Sequence, residues 1–182
     1  GIRQSNGAVR VRVVNETGHK LPTGHIEGRR VWLGVRFYDV QGALLREYGH
    51  YDGTTAVLDE RSTRIYEMHV GLSPAAAAIT GYPAGPTGHM SLADTIVKDN
   101  RIPPRGFTNA AFEAGGAPVV EHVYADGQYW DDAWFTAPPD AARVEVDVNY
   151  QNMPRHYVEE LRDNNHTDGR GQQLFDLWNS NG

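Results

Sequence analysis

Two histidines, His19 and His25, stand six residues apart in the segment Thr17-Gly18-His19-Lys20-Leu21-Pro22-Thr23-Gly24-His25, followed closely by Arg29 and Arg30. Imidazole is a common metal ligand and can take an axial place on a haem iron. A guanidinium pair can clamp carboxylates, including propionates. The segment is punctuated by glycines and a proline, so it reads as a loop that holds its histidines in place. The competing reading is a structured strand connection whose histidines are merely exposed.

A second group is acidic. Asp126, Asp131 and Asp132 fall within seven residues, with Gly127 among them. Hard carboxylate oxygens suit calcium, although the spacing is not that of an EF-hand loop. The alternative is a solvated acidic turn beside Tyr129, Trp130 and Trp134. A third group, Asp99, Asn100 and Arg101, precedes Pro103 and Pro104. An arginine there has five donors with which to satisfy loop carbonyls or a buried carboxylate, so these three are assigned an architectural part. The other histidines are scattered. Glu67 and His69 share a strand face, and a copper or zinc site assembled from several histidines is not legible in the spacing. Asn15-Glu16-Thr17 and Asn165-His166-Thr167 match a glycosylation acceptor by pattern alone.

Catalytic signatures are missing. The chain has no Gly-x-Ser-x-Gly, no His-Glu-x-x-His and no glycine-rich phosphate loop. We therefore expect no enzyme. With no cysteine, disulfides, thiolate metal sites and covalent haem attachment through Cys-x-x-Cys-His are excluded within these residues. The net charge of -6 is spread over mixed acids and bases, which argues against nucleic acid as a partner. Mean hydropathy is -0.55, and no apolar run approaches the ~20 residues of a membrane helix.

These groups must be carried by a scaffold, and the pattern is that of strands. Residues 8–14 and 31–38 alternate apolar and polar, and 142–150 does so with one wet face. Further strands are predicted over 43–51, 63–70, 89–97 and 119–124, with 125–139 as an acidic, aromatic connector. Ser73-Pro74, a run of alanines and Gly81 spell a short capped helix. Helices are predicted over 154–163 and 172–178, the latter docking through Leu174, Leu177 and Trp178. About seven strands with turns between them predict an antiparallel β-sandwich of Ig-like architecture, with long loops, one short internal helix and C-terminal helices. The 182 residues read as a single sandwich domain whose helical extension, 151–182, packs on it. The abrupt start at Gly1 reads as a cut from a longer protein.

Several of these motifs together resemble a haem-free domain found C-terminal to the haem-binding region in bacterial multihaem c-type cytochromes. They are Asn15-x-Thr17-Gly18-His19-Lys20-Leu21-Pro22-Thr23-Gly24 with Arg29-Arg30-Val31-Trp32-Leu33, the run Val97 to Phe107, the run Tyr124 to Asp132, and the ending Leu174-Phe175-Asp176-Leu177-Trp178. They span nearly the whole chain. The departure is the absence of Cys-x-x-Cys-His. The resemblance implies an exported bacterial protein, periplasmic or at the cell surface, engaged in electron transfer. It implies a haem-bearing region or subunit as partner, with haem c held there and none covalently held here. On it rests the leading expectation, an accessory domain that docks on the haem region and covers or positions a haem. His19 would then face or ligate a haem, with His25 second, and Arg29 and Arg30 would meet propionates. The alternatives are a metal-binding module, with calcium at the acidic loop or copper or zinc at histidines, and an extracellular adhesion or filament subunit that self-associates by strand addition.

Overall fold

The computed structural model describes residues 2–5, 7–25 and 27–181; Gly1, Asn6, Ile26 and Gly182 lie outside it. The chain opens with β1 (Ile2–Ser5) and β2 (Ala8–Val14), which pair antiparallel. In β2 the alternation works as written. Val9, Val11 and Val13 are buried, while Arg10 and Arg12 face out. A loop then leads to β3 (Arg30–Tyr38), the hairpin strand β4 (Leu44–Tyr48), and the short ribbon β5 (Tyr51–Asp52) with β6 (Val57–Leu58). Next come β7 (Ile65–Tyr66) and β8 (Met68–Leu72), then helix α1 (Pro74–Thr80). Ser73 Oγ caps that helix by accepting from Ala76 N, and Gly81 ends it at φ 78°, a left-handed turn that glycine makes without steric cost.

After β9 (Gly85–Pro86) and β10 (Thr95–Asp99) come α2 (Asn109–Ala114), β11 (Trp130–Thr136) and β12 (Arg143–Gln151). Two helices close the chain, α3 (Arg155–Asn164) and α4 (Arg170–Asn181). The protein is mostly β and sandwich-like. One sheet runs β1-β2-β11; a second runs β12-β3-β4, with β7 also on β3. Their inner faces meet in one apolar cluster: Val9, Val11 and Val13 from β2, Ala133 and Phe135 from β11, and Val31, Leu33, Val35 and Phe37 from β3. Tyr66 and Ile102 belong to the same cluster. β3 is buried on both faces, because Trp32 on its reverse side packs with Leu58 and Ile65. Such a strand reads as a nearly continuous apolar run. A third, smaller sheet runs β10-β8-β9. No helix among the described residues is long and apolar enough to cross a membrane.

Four segments depart from the pattern-based expectation. Only the last part of 89–97 is a strand; Leu92 N and Ala93 N turn back on His89 O. The strand predicted over 119–124 shrinks to a single bridge between Val120 and Asp99, and Glu121 at φ 62° breaks the run. The stretch 63–70 splits into β7 and β8, because Asn100 Oδ1 takes the Glu67 N–H from the ladder. The supposed connector 125–139 holds β11, which supplies Ala133 and Phe135 to the core. Its inward positions are Asp131, Ala133 and Phe135, and the carboxylate among them hides the apolar period.

Candidate functional site

The loop after β2 is built from its base upward. Asn15 is completely buried. Its Nδ2 donates to His19 O and to Ile102 O, both at 2.8 Å, and its Oδ1 accepts from Thr17 N at 2.9 Å and Thr17 Oγ1 at 2.7 Å. One amide thus folds the loop onto itself and ties it to the next segment. Lys20 turns inward. Its Nζ donates to Asp99 Oδ2 at 2.7 Å and to the carbonyls of Ala117 and Pro118 at 2.9 Å, which uses all three protons. Burial holds the Lys20 ammonium below its ordinary pKa, against the opposing pull of Asp99. Asp99, fully buried, is also gripped in bidentate fashion by Arg101 through Nε and Nη2, each at 2.8 Å. Leu21 and Ile102 exchange backbone bonds of 2.9 and 3.0 Å.

Asn100 completes the frame. Its Nδ2 donates to Ile65 O at 2.6 Å, and its carbonyl accepts from Tyr124 OH at 2.9 Å. Asp99, Asn100 and Arg101 therefore brace the loop from behind.

On the crown of this frame sits His19, exposed to solvent. Its Nδ1 lies 3.4 Å from Thr17 Oγ1. Its Nε2 meets no hydrogen-bond partner among the described residues. What the loop can do chemically is offer an exposed imidazole with an uncommitted nitrogen.

The other sequence-nominated residues divide. His25 is exposed too, but its Nδ1 sits 3.0 Å from Glu27 O and its ring leans on Tyr157 at 6.1 Å between centroids. Arg29 donates to Thr23 O at 2.9 Å and lies against Gly24, bracing the loop from below. Arg30 does not match the expectation of an outward clamp. It is only 3% exposed, donates to Gln151 Oε1 and Glu60 Oε1, and lies over the Trp32 ring. Position 30 opens β3 and its side chain is buried among Gln151, Glu60 and Trp32, while Arg29 stays on the loop.

The acidic trio does not converge. Asp131 and Asp132 are neighbours on a strand and point to opposite faces. Asp131 is buried and accepts from Tyr66 OH at 3.0 Å, with His122 Nε2 at 3.2 Å and Arg64 at 3.3 Å. Burial would raise its pKa, yet His122, Arg64 and Tyr66 hold it below the ordinary carboxylate value. Asp132 is paired with Arg12 on the outer face, and Asp126 accepts from Asn109 at the start of α2. No group of three or more His, Asp or Glu among the described residues is arranged to hold a metal ion. The calcium expectation and the multi-histidine copper or zinc expectation therefore find no arranged ligand set.

The sequence pattern missed one cluster. His69 Nδ1 lies 3.0 Å from Glu27 Oε2, and its Nε2 lies 3.3 Å from Glu67 Oε1. Lys98 donates to the same Glu67 oxygen at 2.6 Å, and Glu27 accepts from Val70 N at 2.7 Å. Glu27, His69 and Lys98 of this cluster line a groove of about 440 Å³ together with His156 and Tyr157 of α3. Glu67 and His69 on one strand face were its only trace in sequence; Glu27 comes from a remote loop.

Burial alone would lower the His69 imidazolium, but its bonds to Glu27 and Glu67 raise it to about 9. Burial alone would raise Glu67, but His69 and Lys98 bring it down to about 2. The signs fix a pH profile. The His69 contribution is complete below its unfolded value of 6.5 and is lost as pH rises through about 9. The Glu67 contribution is complete above 4.5 and is lost as pH falls towards 2. Melting curves should show a plateau between these limits. His69→Gln should flatten the alkaline limb by about 2 kcal/mol, allowing for screening at a partly open site. An unchanged alkaline limb in that variant would refute the clamp.

Fold and loop together define a mostly β, sandwich-like chain without a Cys-x-x-Cys-His motif, carrying an exposed histidine on a braced loop. No family model matches the chain, and no curated protein matches it. Among solved structures it is similar to the crystal structure of a penta-heme cytochrome c552 from Thermochromatium tepidum. The match has a TM-score of 0.50 and 16% identity, over 93% of this chain and 34% of that one. At that identity the likeness is one of fold. This chain corresponds to about a third of the length of that cytochrome.

Proposed function

We propose that this chain is an accessory module of an exported multihaem cytochrome. It docks as one sandwich unit, with residues 151–182 as its helical arm, on a haem-bearing region or subunit, and it presents His19 to a haem there. One observation carries this reading: among the described residues the exposed His19 ring has a hydrogen-bond neighbour at Nδ1 alone, on a loop that buried Asn15 and Lys20 tie down from within. The donor chemistry fits the group, because neutral imidazole is a common axial ligand of haem iron, and bound haem would supply one-electron chemistry. Arg29, on the same loop, is the guanidinium available to a propionate once its bond to Thr23 is exchanged; Arg30 is committed within the fold. The fold shared with a stretch of a multihaem cytochrome supports the same reading.

The test is a titration of the purified chain into a ferric haem c peptide whose distal position is open. We expect a high-spin to low-spin change in the visible spectrum, and binding at least tenfold weaker for His19→Ala. His25→Ala and His166→Ala should bind as the parent does. Equal affinity for His19→Ala and the parent would overturn the assignment.

A further inference from the structure

The hydrogen-bond inventory around Thr17 determines which nitrogen of His19 carries the proton, and this inference rests on the role just proposed for that histidine. Asn15 Nδ2 faces two carbonyls, His19 O and Ile102 O, and so must be the amide nitrogen. Its Oδ1 is then an acceptor only, and it faces the Thr17 N–H and the Thr17 hydroxyl. That hydroxyl has a single proton. Two acceptors compete for it at short range, Asn15 Oδ1 at 2.7 Å and His19 O at 2.8 Å. Neither can donate in return. The proton is therefore spent on one of them, and towards His19 Nδ1 the hydroxyl offers only a lone pair.

We infer that Thr17, oriented by buried Asn15, is a positioning residue that holds His19 in the tautomer protonated at Nδ1, leaving the lone pair on Nε2. A free histidine side chain favours the opposite tautomer, with its proton on Nε2, so the loop works against the solution preference. Nδ1–H donating to a fixed acceptor is the arrangement that orients a metal-ligating imidazole and raises its basicity. It also leaves the Nε2 face ready for iron without a prior proton shift. The motif Asn15-x-Thr17-x-His19 thus has a chemical reason for its spacing. Asn15 sets the hydroxyl, and the hydroxyl sets the ring.

The experiment is long-range proton–nitrogen NMR on the chain labelled at histidine nitrogen, at about pH 8.5, where an ordinary imidazole is neutral. The expected His19 spectrum has a pyrrole-like Nδ1 and a pyridine-like Nε2. Thr17→Val should shift the balance towards protonated Nε2, and Thr17→Ser should restore the parent pattern. In the haem-peptide titration, Thr17→Val should bind about tenfold more weakly, and Thr17→Ser as the parent does. A predominantly Nε2-protonated His19 in the parent, or a Thr17→Val spectrum identical to it, would overturn the inference while leaving the docking role standing. Conversely, a haem-peptide titration indifferent to His19→Ala removes the docking role without touching the tautomer.

Discussion

Replacing Asp99 by alanine will cost the fold about 3–5 kcal/mol, the range for breaking a buried ion pair from one side. The carboxylate is fully buried and holds two cations, Lys20 at 2.7 Å and Arg101 at 2.8 Å. Removing it leaves the Lys20 ammonium, itself only 5% exposed, facing the carbonyls of Ala117 and Pro118 alone. Solvent cannot reach it without opening the seam between the loop after β2 and the segment after β10. The measurement is urea unfolding followed by tryptophan fluorescence. We expect the midpoint to fall with little change in slope. A loss below about 1 kcal/mol would mean that the pair is dispensable and that the frame behind His19 is held by something else.

Asn15→Ala is the second large effect, and it joins stability to function. The substitution removes four hydrogen bonds, to Ile102 O, His19 O, Thr17 N and the Thr17 hydroxyl, although Ile102 O keeps the Leu21 N–H and His19 O keeps the Thr17 hydroxyl. A net intramolecular hydrogen bond is worth about 1 kcal/mol, and the groups nearer the crown are rehydrated, so the expected loss is about 2–3 kcal/mol. The apolar core between the two main sheets contains no atom of Asn15 and should keep its packing. The haem-peptide titration should nevertheless weaken by at least tenfold, because the ring loses its fixed direction. Near-parent affinity from a destabilised Asn15→Ala protein would show that His19 needs no framing.

The two substitutions also separate what frames the histidine from what it does. Asp99 and Lys20 act at depth and hold the loop down. Asn15 and Thr17 act within the loop and aim the ring. His19→Ala should leave stability almost unchanged, since its side chain is exposed and is not part of the core cluster. Stability and haem-peptide affinity are therefore expected to come apart at His19, to fall together at Asn15, and at Asp99 to fall chiefly in stability.

Much of the scaffold was legible because local chemistry and tertiary packing agree there. Val9, Val11 and Val13 alternate and are buried; the helix from Pro74 to Thr80 has its serine cap and its glycine stop. The histidine loop was legible as a motif, since glycine, proline and histidine at fixed spacing are local signals. What β11 does was not, because Asp131 occupies an inward position and finds its partners, Tyr66, His122 and Arg64, elsewhere in the chain. For the same reason, three nearby aspartates looked like one acidic site. Alternation along a strand sends Asp131 and Asp132 to opposite faces, and only the sheet register decides which partners each meets. Arg29 and Arg30 looked equivalent until the start of β3 buried one and left the other on the loop. Sequence by itself determined a mostly β chain, the exclusion of cysteine-bound haem, and the outward histidine's neighbours in the loop. Tertiary structure alone decided that Ile102 and Asp99, more than 75 residues further on, close that loop from behind, and that Glu27 reaches His69. Ion pairs and buried amides between distant segments leave no period in a sequence, because their partners are set by how the sheets pack.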